Sequence, residues 1–182
     1  MTSPRPTLRT VPTADLGPDG LRELRTFLDG VFTDGFRDDH WSHARGGLHV
    51  LASRDGVLVG HAAVVGRQLV AGDLTLRTGY VEAVAVAADA RRQGLATALM
   101  TEVERLVRGG YELGALAASE DGVGLYESRG WTRWRGPLCA FTPDGRTEGD
   151  ASRVFVLPTP ETPAVLDPEL ALVCDWRRGS LW

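Results

Sequence analysis

The sequence predicts an α/β fold in one domain spanning residues 1–182, with a mixed central sheet flanked by helices. Three observations carry this expectation. Leu21, Leu24, Leu28 and Phe32 recur at helical spacing, and so do Leu95, Leu99, Val103, Leu106 and Val107. Arg54-Asp55-Gly56 separates two apolar runs and carries the Asp-Gly signal of a tight hairpin turn. Near residue 80 the pattern alternates with period two: Tyr80, Glu82, Val84 and Val86 share one face, and Val81, Ala83 and Ala85 the other.

The elements follow in order. A Pro-rich lead gives way to a short strand over residues 7–11 and an amphipathic helix over 20–32. Residues 38–44 form a second short helix, stopped by Gly46-Gly47. Residues 48–53 and 57–65 make the hairpin, and 74–86 a further strand. The helix over 92–108 closes at Gly109-Gly110. A small apolar strand over 113–118 follows, and Ser119 caps a helix with Glu120 and Asp121 in its first turn, ended by Gly130. Residues 131–141 return as strand, 143–152 as a polar loop and 154–157 as strand. A Pro-rich irregular stretch over 158–168 leads to a last strand near 170–175.

Composition excludes some functions. A formal net charge of −4 lacks the basic excess of a nucleic-acid surface. No apolar run reaches the roughly 18–20 residues of a membrane-spanning helix. The start has no apolar core of a secretory signal, so the cytoplasm is the expected compartment. Cys139 and Cys174 have no metal-ligand spacing and read as reduced thiols. His40 and His43 stand three apart with no acidic-histidine pattern beside them, so no metal is expected. His49 and His61 read as satisfied sheet histidines.

The chemistry concentrates where the strand over 74–86 meets its helix through Arg91-x-x-Gly94-x-Ala96. Small residues at 94 and 96 let a ligand approach the backbone, and the amides opening a helix attract an anion. A pyrophosphate suits such a turn. The pattern is neither a P-loop nor the three-glycine dinucleotide fingerprint.

Strand, Arg91-x-x-Gly94-x-Ala96 turn and amphipathic helix together resemble motif A of the GNAT superfamily. Leu125-Tyr126-Glu127-Ser128-Arg129-Gly130-Trp131 is similar to a later helix end of that superfamily. The resemblance implies the GNAT acyltransferase fold, with a V-shaped splay between the two central strands, and acetyl-CoA as cofactor. It places pantetheine against the backbone of Val84, Ala85 and Val86. It places pyrophosphate against Arg91, Arg92, Gln93, Gly94, Leu95, Ala96 and Thr97.

Further strings narrow the likeness. Gly46-Gly47-Leu48-His49-Val50, Gly60-His61-Ala62-Ala63-Val64, Gly79-Tyr80-Val81-Glu82-Ala83-Val84 and the tail Cys174-Asp175-Trp176-Arg177-Arg178-Gly179-Ser180-Leu181-Trp182 resemble the aminoglycoside 2'-N-acetyltransferases. The implied activity is acetylation of the 2'-amine of an aminoglycoside antibiotic, by a homodimer. Other acceptors stay open, such as another small amine or an amino-sugar metabolite, as does a non-catalytic acyl-CoA sensor. Acyl transfer to an amine needs a base for the ammonium, a donor for the oxyanion and a proton for the departing thiolate. Glu82 is the expected base, through water, and Tyr126 the expected acid. A backbone amide near Val84 is the expected oxyanion donor.

On the acceptor side the resemblance assigns Asp34, Asp39, His40, Trp41, Glu82, Ala83, Ala117, Asp150, Ser180 and Trp182. Several departures mark this half. The relatives' Gly-Asp-Phe reads Asp34-Gly35-Phe36, and His40 precedes Trp41 where they place an aspartate. Their Gly-Asp-x-Trp ending reads Gly179-Ser180-Leu181-Trp182, and Ala117 replaces a common serine. Fewer carboxylates imply an acceptor with fewer amines, with kasugamycin as the sharpest case.

Overall fold

The computed structural model describes residues 6–33, 35–148, 150 and 152–182. Contacts divide the chain into two compact units. One draws on residues up to Val65 together with Val81–Arg105, the other on Gly66–Tyr80 and Leu106–Trp182. The third and fourth strands and the third α-helix run from one unit into the other.

In the first unit, β1 (Thr7–Pro12), β2 (Leu48–Arg54) and the start of β3 (Val57–Ala71) pair antiparallel in sequence order. The α1 helix (Gly17–Val31) buries Leu24 and Leu28 against Val11, Leu51 and Ala85. Those two leucines stand four apart on one helical face, which is why the sequence periodicity located the packing surface. The short α2 helix (Asp38–His43) follows, and Trp41 packs on the same core. Gly60 lies within 3.1–3.2 Å of the Leu99, Leu95 and Ala52 side chains, measured from where a Cβ would sit. A larger residue there would separate α3 (Leu95–Gly110) from β2 and β3.

In the second unit, the strand order is β6 (Thr132–Arg133), β9 (Val154–Pro158), β5 (Leu113–Ala117), β4 (Leu74–Val86), β3, β10 (Leu172–Cys174), β7 (Leu138–Thr142) and β8 (Gly145–Glu148). The sheet is mixed: β4–β5 and β10–β7 are parallel, whereas β5–β9, β6–β9, β10–β3 and β7–β8 are antiparallel. The registered pairs of β4 with β5 are Thr78–Leu113, Gly79–Gly114 and Tyr80–Ala115, so they end before Glu82. Val107, Trp131 and Leu157 close over Gly114.

Several elements differ from the sequence expectation. The helix predicted from residue 92 starts at Leu95, because Arg92 and Gly94 hold left-handed φ values of 59° and 78° that no α-helix contains. The predicted strand 131–141 breaks into β6 and β7. Between them Trp134 Nε1 donates to Leu170 O at 2.9 Å, Gly136 lies against the same carbonyl, and Pro137 has no amide for a ladder. Part of the polar loop is the strand β8, wholly exposed and therefore without apolar periodicity. The helix expected after Ser119 is a 3-10 turn (Glu120–Gly122) running into the short α4 (Val123–Glu127). Its glycines at 122 and 124 are poor helix formers. β3 continues to Ala71 past polar residues, since Arg67 is buried there on an ion pair with Asp175. Among the described residues no helix is long and apolar enough to cross a membrane. Both cysteines are buried free thiols.

Candidate active site

The end of β4 carries Glu82, Ala83 and Val84, all partly buried. Ala83 has φ of 49°. A side chain in that left-handed region costs roughly 1–2 kcal/mol, so the neighbourhood has to hold it there. The Ala83 carbonyl is hydrogen-bonded by His61 Nδ1 at 2.7 Å. His61 Nε2 meets His49 Nδ1 at 3.0 Å, and His49 Nε2 meets Thr13 Oγ1 at 2.7 Å. Burial pushes the His49 imidazole down to about 4. Burial, with the neighbouring His49, pushes His61 down to about 3 against the pull of the Ala83 carbonyl. Both rings are therefore neutral at physiological pH.

Beyond Val86 the turn at residues 91–94 is exposed. The first helical bond of α3 runs from the Ala98 amide to the Gly94 carbonyl at 3.0 Å. The amides of Leu95, Ala96 and Thr97 precede it, so they have no acceptor within the helix. Space beside Gly94 is open for 4 Å around the position of a Cβ. Side chains brace this turn from behind. Gln93 Nε2 donates to Asp89 O at 2.7 Å and its Oε1 accepts from Arg54 Nη2 at 2.8 Å; Arg91 Nε donates to Val86 O at 3.2 Å. Gln93 thus ties the turn to Asp89 and Arg54, and Arg91 Nε ties it to the end of β4. Arg54 was not legible in the sequence as part of this turn, because it lies 39 residues away from Gln93.

The acidic candidates of α2 already have partners. Arg37 grips both oxygens of Asp39, at 3.0 and 2.7 Å, and holds its carboxyl far below the usual carboxylate range. Asp38 pairs with Arg25 at 3.0 Å. The His40 Nδ1 accepts the Arg37 amide at 3.3 Å. Guanidinium groups of Arg25 and Arg45 lie 5.9 and 5.3 Å from the Trp41 ring centre. Asp34 lies outside the described residues.

In the second unit, Tyr126 is buried on α4, with its ring against Trp131 and Phe155. Burial pushes its phenol up to about 12. Ala117 is exposed at the end of β5. Asp150 Oδ1 accepts the Ser152 amide at 2.7 Å. The tail makes polar contacts with β3 and within itself. Arg67 Nε holds Asp175 Oδ1 at 2.8 Å, Arg177 Nε donates to Ser180 O at 2.9 Å, and the Ser180 hydroxyl donates to Trp182 O at 2.7 Å. Trp182 is buried, and its indole N–H has no hydrogen-bond partner among the described residues.

A β-strand with a left-handed residue near its end thus leads through an exposed turn into a helix whose first amides have no helical acceptor. Residues 19–131 match the acetyltransferase (GNAT) family. The chain belongs to that family. An aminoglycoside 2'-N-acetyltransferase of Mycolicibacterium fortuitum is 46% identical over 179 residues, which covers 97% of this chain and 92% of that one. Two solved GNAT structures share the fold. The Escherichia coli N-acetyltransferase YhbS in complex with CoA has a TM-score of 0.63 at 18% identity, over 97% of this chain and 93% of its own. A GNAT acetyltransferase from Brucella melitensis in complex with acetyl-CoA has a TM-score of 0.58 at 17% identity, over 86% and 92%. At those identities the likeness speaks for the GNAT fold alone.

Proposed function

We propose that this protein transfers the acetyl group of acetyl-CoA to the 2'-amine of an aminoglycoside. The observation that carries the reading is the 46% identity, over nearly the whole chain, with an enzyme named for that reaction. The turn fits the cofactor: three helix-start amides and an open Gly94 leave room and donors for a pyrophosphate. Val84, Ala85 and Val86 provide the adjoining strand edge, with Arg91 to Thr97 as the anion cradle.

Acetyl-CoA supplies an activated thioester carbonyl. Glu82 removes the ammonium proton through a water, since only a neutral amine has a lone pair to donate. The Val84 amide stabilises negative charge on the carbonyl oxygen. Tyr126 donates its phenolic proton to the departing sulfur.

The acceptor side supports a narrower substrate. Asp38 and Asp39 already pair with arginines, and His40 and Ser180 stand where the family resemblance expects acids. A hydrogen bond to a charged group contributes about 1.5–3 kcal/mol, so losing two weakens binding of a polyamine drug by about two to four orders of magnitude. An aminoglycoside with few amines, such as kasugamycin, fits this loss of acids.

The test is thiol release from acetyl-CoA with kasugamycin, gentamicin, tobramycin, paromomycin and simple polyamines. Release with an aminoglycoside and acetylation at the 2'-amine is expected; release with polyamines alone overturns the aminoglycoside reading. Efficient turnover of gentamicin or tobramycin with none of kasugamycin overturns the narrower one. Glu82→Gln is expected to lose rate most at low pH, where the amine is protonated, and unchanged kinetics would remove its role.

A further inference from the structure

We propose that His61, backed by His49 and Thr13, is a positioning residue that sets the direction of the Val84 amide by holding the Ala83 carbonyl. The inference rests on the acetyl-transfer reading for its kinetic consequence, but its geometry stands on hydrogen bonds alone.

The chain of contacts has one self-consistent proton arrangement. A carbonyl oxygen only accepts, so the His61 Nδ1 that meets Ala83 O at 2.7 Å carries a proton. A neutral ring has one N–H, which leaves His61 Nε2 bare to accept from His49 Nδ1 at 3.0 Å. His49 Nε2 is then bare in turn, and accepts the Thr13 hydroxyl at 2.7 Å. Thr13 Oγ1 itself receives the Gly46 amide at 3.0 Å, and its other carbonyl neighbour, Gly47 O, is farther away at 3.3 Å. The relay therefore runs in one direction, from the Gly46 amide through Thr13 and two rings to Ala83. Both rings are fully buried. Their low affinity for a second proton keeps the pattern neutral and intact.

The far end of the relay is the one strained residue of the β4 terminus, Ala83 at φ 49°. The Ala83 carbonyl is part-buried, and a carbonyl shielded from water needs a donor. His61 supplies it. The peptide between Ala83 and Val84 is planar and trans, so fixing Ala83 O in space also fixes the opposite direction of the Val84 N–H. An oxyanion donor works only when aimed before the reaction, which places His61 in the rate without its touching any substrate. Because Thr13, His49 and His61 lie on the turn after β1, on β2 and on β3, three neighbouring segments brace one peptide plane.

The experiment is a kinetic cycle with an amide probe. His61→Leu removes the donor and keeps an apolar ring-sized volume; kcat is expected to fall about tenfold to a hundredfold with the KM for acetyl-CoA little changed, as misaimed catalytic groups cause. Ala83→Gly adopts positive φ without steric cost, so the kcat loss from His61→Leu should be at least about threefold smaller in the Ala83→Gly background. The Val84 amide resonance in 15N-labelled protein should shift in His61→Leu. Thr13→Val, which deletes the hydroxyl that donates to His49 and accepts the Gly46 amide, should lower kcat in the same direction and serves if His61→Leu does not fold. Unchanged kcat and an unmoved Val84 resonance in both overturn the inference, as does a kcat loss identical in both backgrounds. If the wild type acetylates no amine, the functional reading fails; the Val84 resonance then tests the positioning role by itself.

Discussion

Acidification is expected to destabilise this fold through His49 and His61, by an amount that the structure sets. In the unfolded chain each ring titrates near 6.5, whereas burial brings them to about 4 and about 3 in the fold. Folded values below unfolded ones mean that the unfolded chain binds more protons across this window. Stability is therefore complete above pH 6.5 and falls as the pH drops toward 4 and then 3. Each pH unit inside the window removes about 1.4 kcal/mol per ring. Between pH 6.5 and 5, about 2 kcal/mol is lost through each ring and about 4 through the pair, a large share of the usual 5–15 kcal/mol. Staying at or above pH 5 keeps most carboxylates ionised, so the rings dominate the change. Urea unfolding at pH 7.5, 6.5 and 5 gives the slope directly. The double variant His49→Gln/His61→Leu should lose little between those pH values, with His40 and His43 present in both proteins as the internal control. Equal losses in the two proteins, or a wild type as stable at pH 5 as at 7.5, would refute the assignment of neutral buried rings.

Two other substitutions test separate links. Tyr126→Phe should lower kcat about a hundredfold, the scale of general acid catalysis, while urea unfolding moves little because the ring still packs on Trp131 and Phe155; an unchanged kcat ends its role as acid. Asp175→Ala leaves the Arg67 guanidinium, with 3% of its side chain exposed, without its carboxylate. That should cost about 3 kcal/mol in unfolding experiments, and Arg67→Met added to it should recover most of the loss.

Much of the architecture was legible because local periodicity and packing agree. Leu24 and Leu28 marked the buried face of α1, Asp55-Gly56 the hairpin, and β4 matched its predicted span from Leu74 to Val86. The turn between β4 and α3 was legible too, since small residues between a strand and a helix leave a local trace in sequence. Elements decided by distant partners were not. Strand β8 has no apolar face to reveal it, and the extension of β3 past Gly66 depends on Asp175, 108 residues from Arg67. Likewise, nothing local says that Arg25 will pair with Asp38, 13 residues away.

The histidines show the division most clearly. Alternation with apolar neighbours was enough to place His49 and His61 inside a sheet, because a strand's period assigns each side chain to a face. Their coupling was invisible, because neither sequence spacing nor residue type says which carbonyl the buried N–H groups will find. Sequence determined the GNAT strand, turn and helix that can hold an acyl donor, since those signals arise from neighbouring residues. Only the tertiary structure decided that Thr13, His49 and His61 converge on the Ala83 carbonyl. Hydrogen bonds act over about 3 Å in space and carry no memory of separation along the chain.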